Sequence, residues 1–271
     1  MNFQFAKEVH HPVKKKFERR KVVVTGIDEI WAMDLASMES FVEYNKGYKF
    51  ILCIIDVFSK YAWCVPLKNK AGITILDEVK NITIVDDRIP QKIWVDRGSE
   101  FYNKEFQKWA NHNKITIYST YGESKSVVVE RFIRTLKQLI TKYFTATNSR
   151  DWVSILPTVV DEYNNHIHST IGMTPVEASD PENSVEVFNN IQHKPKKKTK
   201  KNNKNQFKIG DLVRISRTKG TFEKGYEANW TYEVFTVSKV LDTPYKLIDY
   251  HKDPVEGSFY KEEMIKTGIF C

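Results

Sequence analysis

The sequence predicts an α/β domain followed by a small β-rich module, and three observations lead there. Short apolar, strand-like runs alternate with amphipathic helical stretches between residues 27 and 190. A Lys/Asn-rich stretch over 194–205 then interrupts every periodic pattern and offers nothing from which a core could form. Beyond it, short alternating runs recur over about 60 residues without a helical period, the pattern of a small β-barrel. The layout expected is a basic N-terminal arm (1–26), the α/β domain (27–190), a basic flexible linker (191–206) and the C-terminal module (207–267).

Three strands open the α/β domain, over 30–36, 49–58 and 61–67, joined by short polar turns. The middle strand holds the longest apolar run, Phe50-Ile51-Leu52-Cys53-Ile54-Ile55, which stops at Asp56 and is too short to span a membrane. Ile75, Leu76, Val79, Ile82 and Ile84 recur at helical spacing and predict a helix over 71–85. A strand over 91–96 ends at the Gly98 turn, a helix over 101–111 carries Phe106 and Trp109, and a short strand follows over 115–119. On a helical wheel, Val129, Phe132, Ile133, Leu136, Ile140 and Tyr143 share one side, a core face. Glu130, Arg134, Lys137 and Thr141 form a polar stripe beside it. Residues 152–168 continue as helix with Pro157 after the first turn, and a capped short helix follows Thr174-Pro175. In the C-terminal module, 207–215 alternates around Gly210-Asp211, and strands over 234–240 and 244–250 follow.

Lys and Arg number 42 against 34 Asp and Glu, and the resulting charge of +8 favours a polyanionic partner. The excess gathers at Lys14-Lys15-Lys16, at Arg19-Arg20-Lys21 and over 194–208, outside the predicted core. The three cysteines, Cys53, Cys64 and Cys271, are too few and too scattered for a disulfide framework. The first two lie in apolar strands and are expected as reduced core residues. A polar, then basic N-terminus without an apolar segment predicts no signal peptide, hence an intracellular protein.

Asp34 interrupts an apolar strand, where a carboxylate is costly unless a cation or hydrogen bonds compensate. Asp96 stands at a strand end beside a glycine turn, where α/β folds collect ligands. Glu130 heads the amphipathic helix, with 33 residues between it and Asp96. Each alone reads blandly: the strand-end aspartate as a turn cap, the stripe on the Glu130 helix as solvated ion pairs worth roughly a few tenths of a kcal/mol. An Asp on the first strand, an Asp on the fourth and a Glu on a following helix together have the spatial logic of a ribonuclease H-like site. Three such acids can hold two divalent cations, one activating an attacking oxygen and one stabilising the leaving oxygen at a phosphodiester.

Residues from about 25 to 180 resemble the catalytic core of retroviral-type integrases and DDE transposases. The motifs that carry this are Trp31-x-x-Asp34, Val95-Asp96-Arg97-Gly98-Ser99-Glu100-Phe101 and Ser126-Val127-Val128-Val129-Glu130-Arg131-Phe132. Tyr163-Asn164, His168, Gly172, Thr174-Pro175 and Glu177-Ala178 fit the pattern that closes this core. Residues 54–61 and the run Tyr226-x-x-Asn229-Trp230-x-x-Glu233 are most similar to integrases of Polinton (Maverick) elements.

The resemblance implies a ribonuclease H-like core with a mixed five-stranded sheet, followed by an SH3-like or chromodomain-like C-terminal module. It implies a DDE polynucleotidyl transferase in which Asp34, Asp96 and Glu130 hold two Mg²⁺ (or Mn²⁺). Arg131, Arg134 and Lys137, with Lys125 in the preceding loop, would grip DNA. Lys196, Lys197, Lys198, Arg214 and Arg217 are further expected DNA contacts. DNA, a second copy of the chain (dimer or tetramer) and chromatin are the expected partners, with no membrane, and the nucleus is the expected location. The family's zinc module has no counterpart: His10 and His11 are adjacent and no Cys pair follows at zinc spacing, so no zinc is expected. Asp56 reads as a turn acid with Ser59, and Asp86 and Asp87 as solvated helix-end charge. His166 and His168 read as a poor metal pair, with His168 in a buried hydrogen bond. Two rivals stand beside the integrase: a nuclease on the same fold that cuts without joining, and a domesticated, catalytically silent DNA-binding protein.

Overall fold

The computed structural model describes residues 3–13, 22–96, 98–119, 127–192, 207–217, 228–241 and 244–268. Along the chain the elements are α1 (Phe3–Val9), β1 (Ile30–Ser37), β2 (Phe50–Asp56), β3 (Ala62–Leu67), α2 (Gly72–Val85), β4 (Lys92–Val95), α3 (Lys104–His112) and β5 (Thr116–Tyr118). There follow α4 (Val127–Thr147), α5 (Trp152–Asn164), α6 (Pro175–Ala178), α7 (Ser184–Gln192), β6 (Leu212–Ile215), β7 (Phe235–Val240), β8 (Tyr245–Ile248) and β9 (Met264–Lys266). Two compact units result: residues 23–198, and residues 1–22 together with 199–271. Among the described residues, no helix is long and apolar enough to cross a membrane.

In the larger unit, five strands run in the order β3-β2-β1-β4-β5. β1 to β3 form an antiparallel meander, while β4 and β5 lie parallel to β1, which gives the mixed sheet expected. Alternation sends Ala32, Ala36, Ile51, Cys53, Ile55 and Trp94 to one face, where α4 and α5 cover them with Val129, Phe132, Leu136, Trp152, Leu156 and Val159. The other face carries Trp31, Met33, Leu52, Ile54, Ile93 and Val95 under Ile75, Leu76 and Val79 of α2 and Phe106 of α3. β2 is buried along its whole length, as its apolar run requires. Each such large side chain contributes about 1.5–3 kcal/mol by leaving water.

Polar groups finish the edges. The Asn164 side chain donates to the Ala62 carbonyl and accepts from the Ala62 N–H, both at 2.9 Å, closing the open side of edge strand β3. Asp151 caps α5 through the Ser154 N–H at 3.1 Å, and Thr174 with Glu177 forms a capping box on α6. Arg88 sits over the Trp63 ring and donates to Asp28 at 2.7 Å, with buried Asp56 at 3.6 Å. Two expectations change here. α5 runs through Pro157 but stops at Asn164, so His166 and His168 lie in the following loop. His168 there accepts locally, from the Thr170 N–H at 3.1 Å, and is only partly buried.

The smaller unit is an antiparallel four-stranded sheet, β8-β7-β6-β9, around Phe207, Val213, Phe235, Val237, Tyr245, Leu247 and Met264. Strand β9, only three residues long, carries too little alternation to be read in advance. The N-terminal arm differs from its aperiodic reading, because Phe3–Val9 is helical and belongs to this unit. The Val9 carbonyl accepts from the N–H groups of Asn229 (2.8 Å) and Trp230 (3.1 Å), and the His11 carbonyl from the Trp230 indole at 2.8 Å.

Candidate functional site

β1 has different neighbours on its two sides, antiparallel β2 and parallel β4. Its parallel register pairs Met33 with Val95, so Asp34 and Asp96 are the next residues on adjoining strands. Neighbouring strands lie about 4.8 Å apart. Asp34 follows the alternation of Ala32 and Ala36, and Asp96 that of Trp94, so both belong to the face that α4 covers. Val129 and Phe132 are buried against that face, which fixes the rotation of α4 and leaves Glu130 exposed in its first turn. An acid there also complements the N-terminal end of the helix dipole.

Electrostatics joins the three. Burial raises the Asp34 pKa above the usual carboxylate value, and the negative charges of Asp96, Glu130 and Glu100 push the same way. The Leu35 N–H, which donates to Asp34 Oδ1 at 2.8 Å, opposes them. Acids from the turn after β4 and from α4 thus bear on the Asp34 carboxyl of β1 and disfavour its ionised form.

Glu100 is the acid that reading assigned no role, although it lies inside the quoted motif. Its carboxylate folds back over Gly98, with oxygens 2.4 Å from where a Cβ on that residue would sit. A side chain at position 98 would displace it. Nothing in periodicity marks such a contact, and only the short Asp96–Glu100 spacing hints at it.

Among the described residues, no three His, Cys, Asp or Glu side chains form a ready-made metal cluster. The donor set nonetheless suits a hard cation in kind: every member is a carboxylate, and the charges on Asp34 repel. A Mg²⁺-like ion needs one or two protein carboxylates, with waters and substrate phosphate filling the remaining positions.

Beyond Glu130, α4 turns Arg134 and Lys137 to solvent, as its polar stripe predicts, and Arg131 is exposed as well. Arg134, Lys137, Gln138, Thr141, Lys142 and Thr145 line one shallow hollow along it. Lys125, Lys196, Lys197 and Lys198 lie outside the described residues. Arg217 is exposed, and its guanidinium donates to the Ala228 carbonyl at 3.4 Å.

Arg214 requires a correction. It is fully buried, 2.6 Å from Glu8, stacked 4.9 Å above the Phe5 ring and bonded to the Thr231 and Tyr232 carbonyls. The guanidinium is spent inside its own unit and does not face a phosphate backbone. Asp56 keeps its turn role: it is buried and accepts from the Ser59 N–H (2.9 Å) and hydroxyl (2.5 Å). Asp86 is the exposed helix-end charge expected, and it also accepts from the Trp63 indole.

Residues 25–121 match the family described as the integrase core domain, a span that holds Asp34 and Asp96 and ends before Glu130. A transposon-derived protein of Caenorhabditis elegans is 30% identical over 234 residues, 86% of this chain and 77% of that protein. The Gag-Pol polyprotein of feline leukemia virus is 32% identical over 133 residues, 48% of this chain but 8% of the polyprotein. Among solved structures, a chain of the simian T-cell lymphotropic virus intasome in complex with PP2A regulatory subunit B56 gamma matches with a TM-score of 0.67. That match covers 96% of this chain and 84% of the other at 14% identity, so it speaks to the fold.

Proposed function

Because the chain belongs to the integrase family that transposon-derived and retroviral proteins share, we propose that it is the DNA integrase of a transposable element. The reaction is trimming of the element's 3′ ends, then joining of those ends to target DNA by in-line attack on phosphodiesters. One observation carries this reading: Asp34 and Asp96 follow paired residues on adjoining parallel strands, on the face covered by α4, whose first turn carries Glu130. A carboxyl whose pKa is raised both by burial and by neighbouring acids from other elements is a functional-site candidate.

Asp34, Asp96 and Glu130 would hold Mg²⁺ or Mn²⁺. When bound, such ions neutralise charge on the scissile phosphate and lower the pKa of a bound water. The chain's own contribution is placement. Adjoining strands set Asp34 beside Asp96, and α4 sets Glu130 by burying Val129 and Phe132. Arg131, Arg134 and Lys137 would hold the DNA end along α4 by its phosphates. Three further elements of the proposal are kinship to Polinton elements, an SH3-like or chromodomain-like role for the C-terminal sheet on DNA or chromatin, and a nuclear site of action. Joining two ends calls for at least two protomers.

A strand-transfer assay with Mg²⁺, purified protein and element-end oligonucleotides tests this. Joined products that disappear in Asp96→Asn and Glu130→Gln are expected. Cleavage without joining makes the chain a nuclease, and binding alone makes it a silent DNA-binding protein.

A further inference from the structure

Cys53 on β2 and Cys64 on β3 are register partners in the sheet that carries Asp34. They occupy a non-hydrogen-bonded row. The neighbouring hydrogen-bonded row is marked by the Asp56 N–H, which donates to the Tyr61 carbonyl at 2.9 Å. Ala62, one residue further, turns its N–H and carbonyl to Asn164, away from β2, and Cys64 shares that phase. Residues opposed in such a row have Cα atoms about 4.5 Å apart, inside the span of roughly 4.4–6.8 Å that a disulfide bridges. The two thiols already interact: burial, then a hydrogen bond with Cys53 and its charge, hold the Cys64 pKa well above the usual thiol value. The same row continues into β1, where Asp34 pairs with Cys53 and points to the same face.

We propose that Cys53 and Cys64 form a covalent modification site, which a hydroperoxide closes into a cross-strand disulfide that alters the strand bearing Asp34. The effect on catalysis rests on the role given to Asp34 above; the closure itself does not. Cys64, on the edge strand and partly exposed, attacks the peroxide oxygen, giving a sulfenic acid and one alcohol (water when the oxidant is hydrogen peroxide). The wholly buried Cys53 thiol then attacks that sulfur: the S–S bond forms, the S–O bond breaks, and water leaves with the thiol proton. Two thiols lose two electrons and the peroxide gains two. Because burial keeps Cys64 protonated, closure is slower than at an exposed thiol.

Closure has a mechanical consequence. Opposed Cβ atoms in an open pair are about 4.5–5.5 Å apart and those of a disulfide about 3.8 Å, so β3 and β2 must draw together in the Asp34 row. Misplacing a catalytic group by about 1 Å can cost on the order of 100-fold in rate.

The test uses the full chain carrying Cys271→Ser, so that two cysteines remain, incubated with hydrogen peroxide. Peptide mapping without reductant should find Cys53 and Cys64 in one linked species. Strand transfer should fall at least about tenfold and return with dithiothreitol, while Cys64→Ser should keep its activity through the same treatment. Absence of the linked species overturns the proposal, as does a linked protein of unchanged activity, or equal loss in Cys64→Ser. Mapping reads closure without reference to activity, so a chain unable to join DNA fails the functional reading separately.

Discussion

The Asp34→Asn substitution removes one negative charge from a neighbourhood of four acids and changes little else. The amide keeps an oxygen for the Leu35 N–H at 2.8 Å and has nearly the same volume. Asp34 is disfavoured as an anion by burial and by Asp96, Glu130 and Glu100, so the metal-free protein should gain stability while losing activity. Relief of a functional strain of this kind contributes about 0.5–2 kcal/mol. Each kcal/mol moves the unfolding midpoint by about 2–4 °C in a domain of 150–250 residues. The pH dependence has a definite sign. The folded-state pKa lies above the unfolded one, so proton binding favours the native state; that stability is full below the unfolded value and lost as pH rises through the folded one. The advantage of Asn is therefore absent in acid and complete at neutral pH. Divalent metal reverses the ranking, because a cation at ten times its dissociation constant stabilises the wild type by about 1.4 kcal/mol and the variant by much less. Thermal unfolding in chelator, then in Mg²⁺ or Mn²⁺, reads all of this. An Asp34→Asn protein that is less stable than wild type in chelator at neutral pH, or that gains as much from metal, refutes the reasoning.

Arg134→Ala and Lys137→Ala should each flatten the plot of log affinity for duplex DNA against log salt, by about 0.9 per lost phosphate contact; anisotropy titrations with an unchanged slope count against them. Arg214→Met should leave that slope alone and destabilise the smaller unit by about 3 kcal/mol, since Glu8 and two carbonyls lose their buried partner. Arg88→Met removes the counter-charge from Asp28 and the fully buried Asp56 together, and denaturant unfolding should record a loss of about 3–5 kcal/mol. Asn164→Ala leaves the Ala62 N–H and carbonyl unpaired at an open sheet edge, costing about 1–3 kcal/mol for each group. Light scattering on that variant should show added aggregation, and a monodisperse, equally stable protein would contradict the edge role.

What could be read in advance follows from which signals are local. The run from Phe50 to Ile55 declares a strand buried on both faces, and the wheel of α4 gives its core face before any coordinates, except that Ile133 and Tyr143 are only half-covered and Phe144 is buried instead. Asp34 stood out because a charge inside an apolar strand demands an explanation. Arg214 misled because a base beside aromatics reads alike whether it faces DNA or stacks on Phe5, and its partner Glu8 lies 206 residues away. Helix α1 escaped for the same reason: its seven residues gain their order from Asn229 and Trp230, contacts that no local period reveals. Glu100 was visible as a letter in a motif, but its fold-back over Gly98 is a matter of three-dimensional room.

Anomalous diffraction from crystals soaked in Mn²⁺ reports on the cation-holding role of the acids without reference to any assay of DNA. The account predicts peaks bounded by the carboxylates of Asp34 and Asp96, with Glu130 drawn in from α4. Manganese found only elsewhere, or none at a concentration that supports activity, would contradict it.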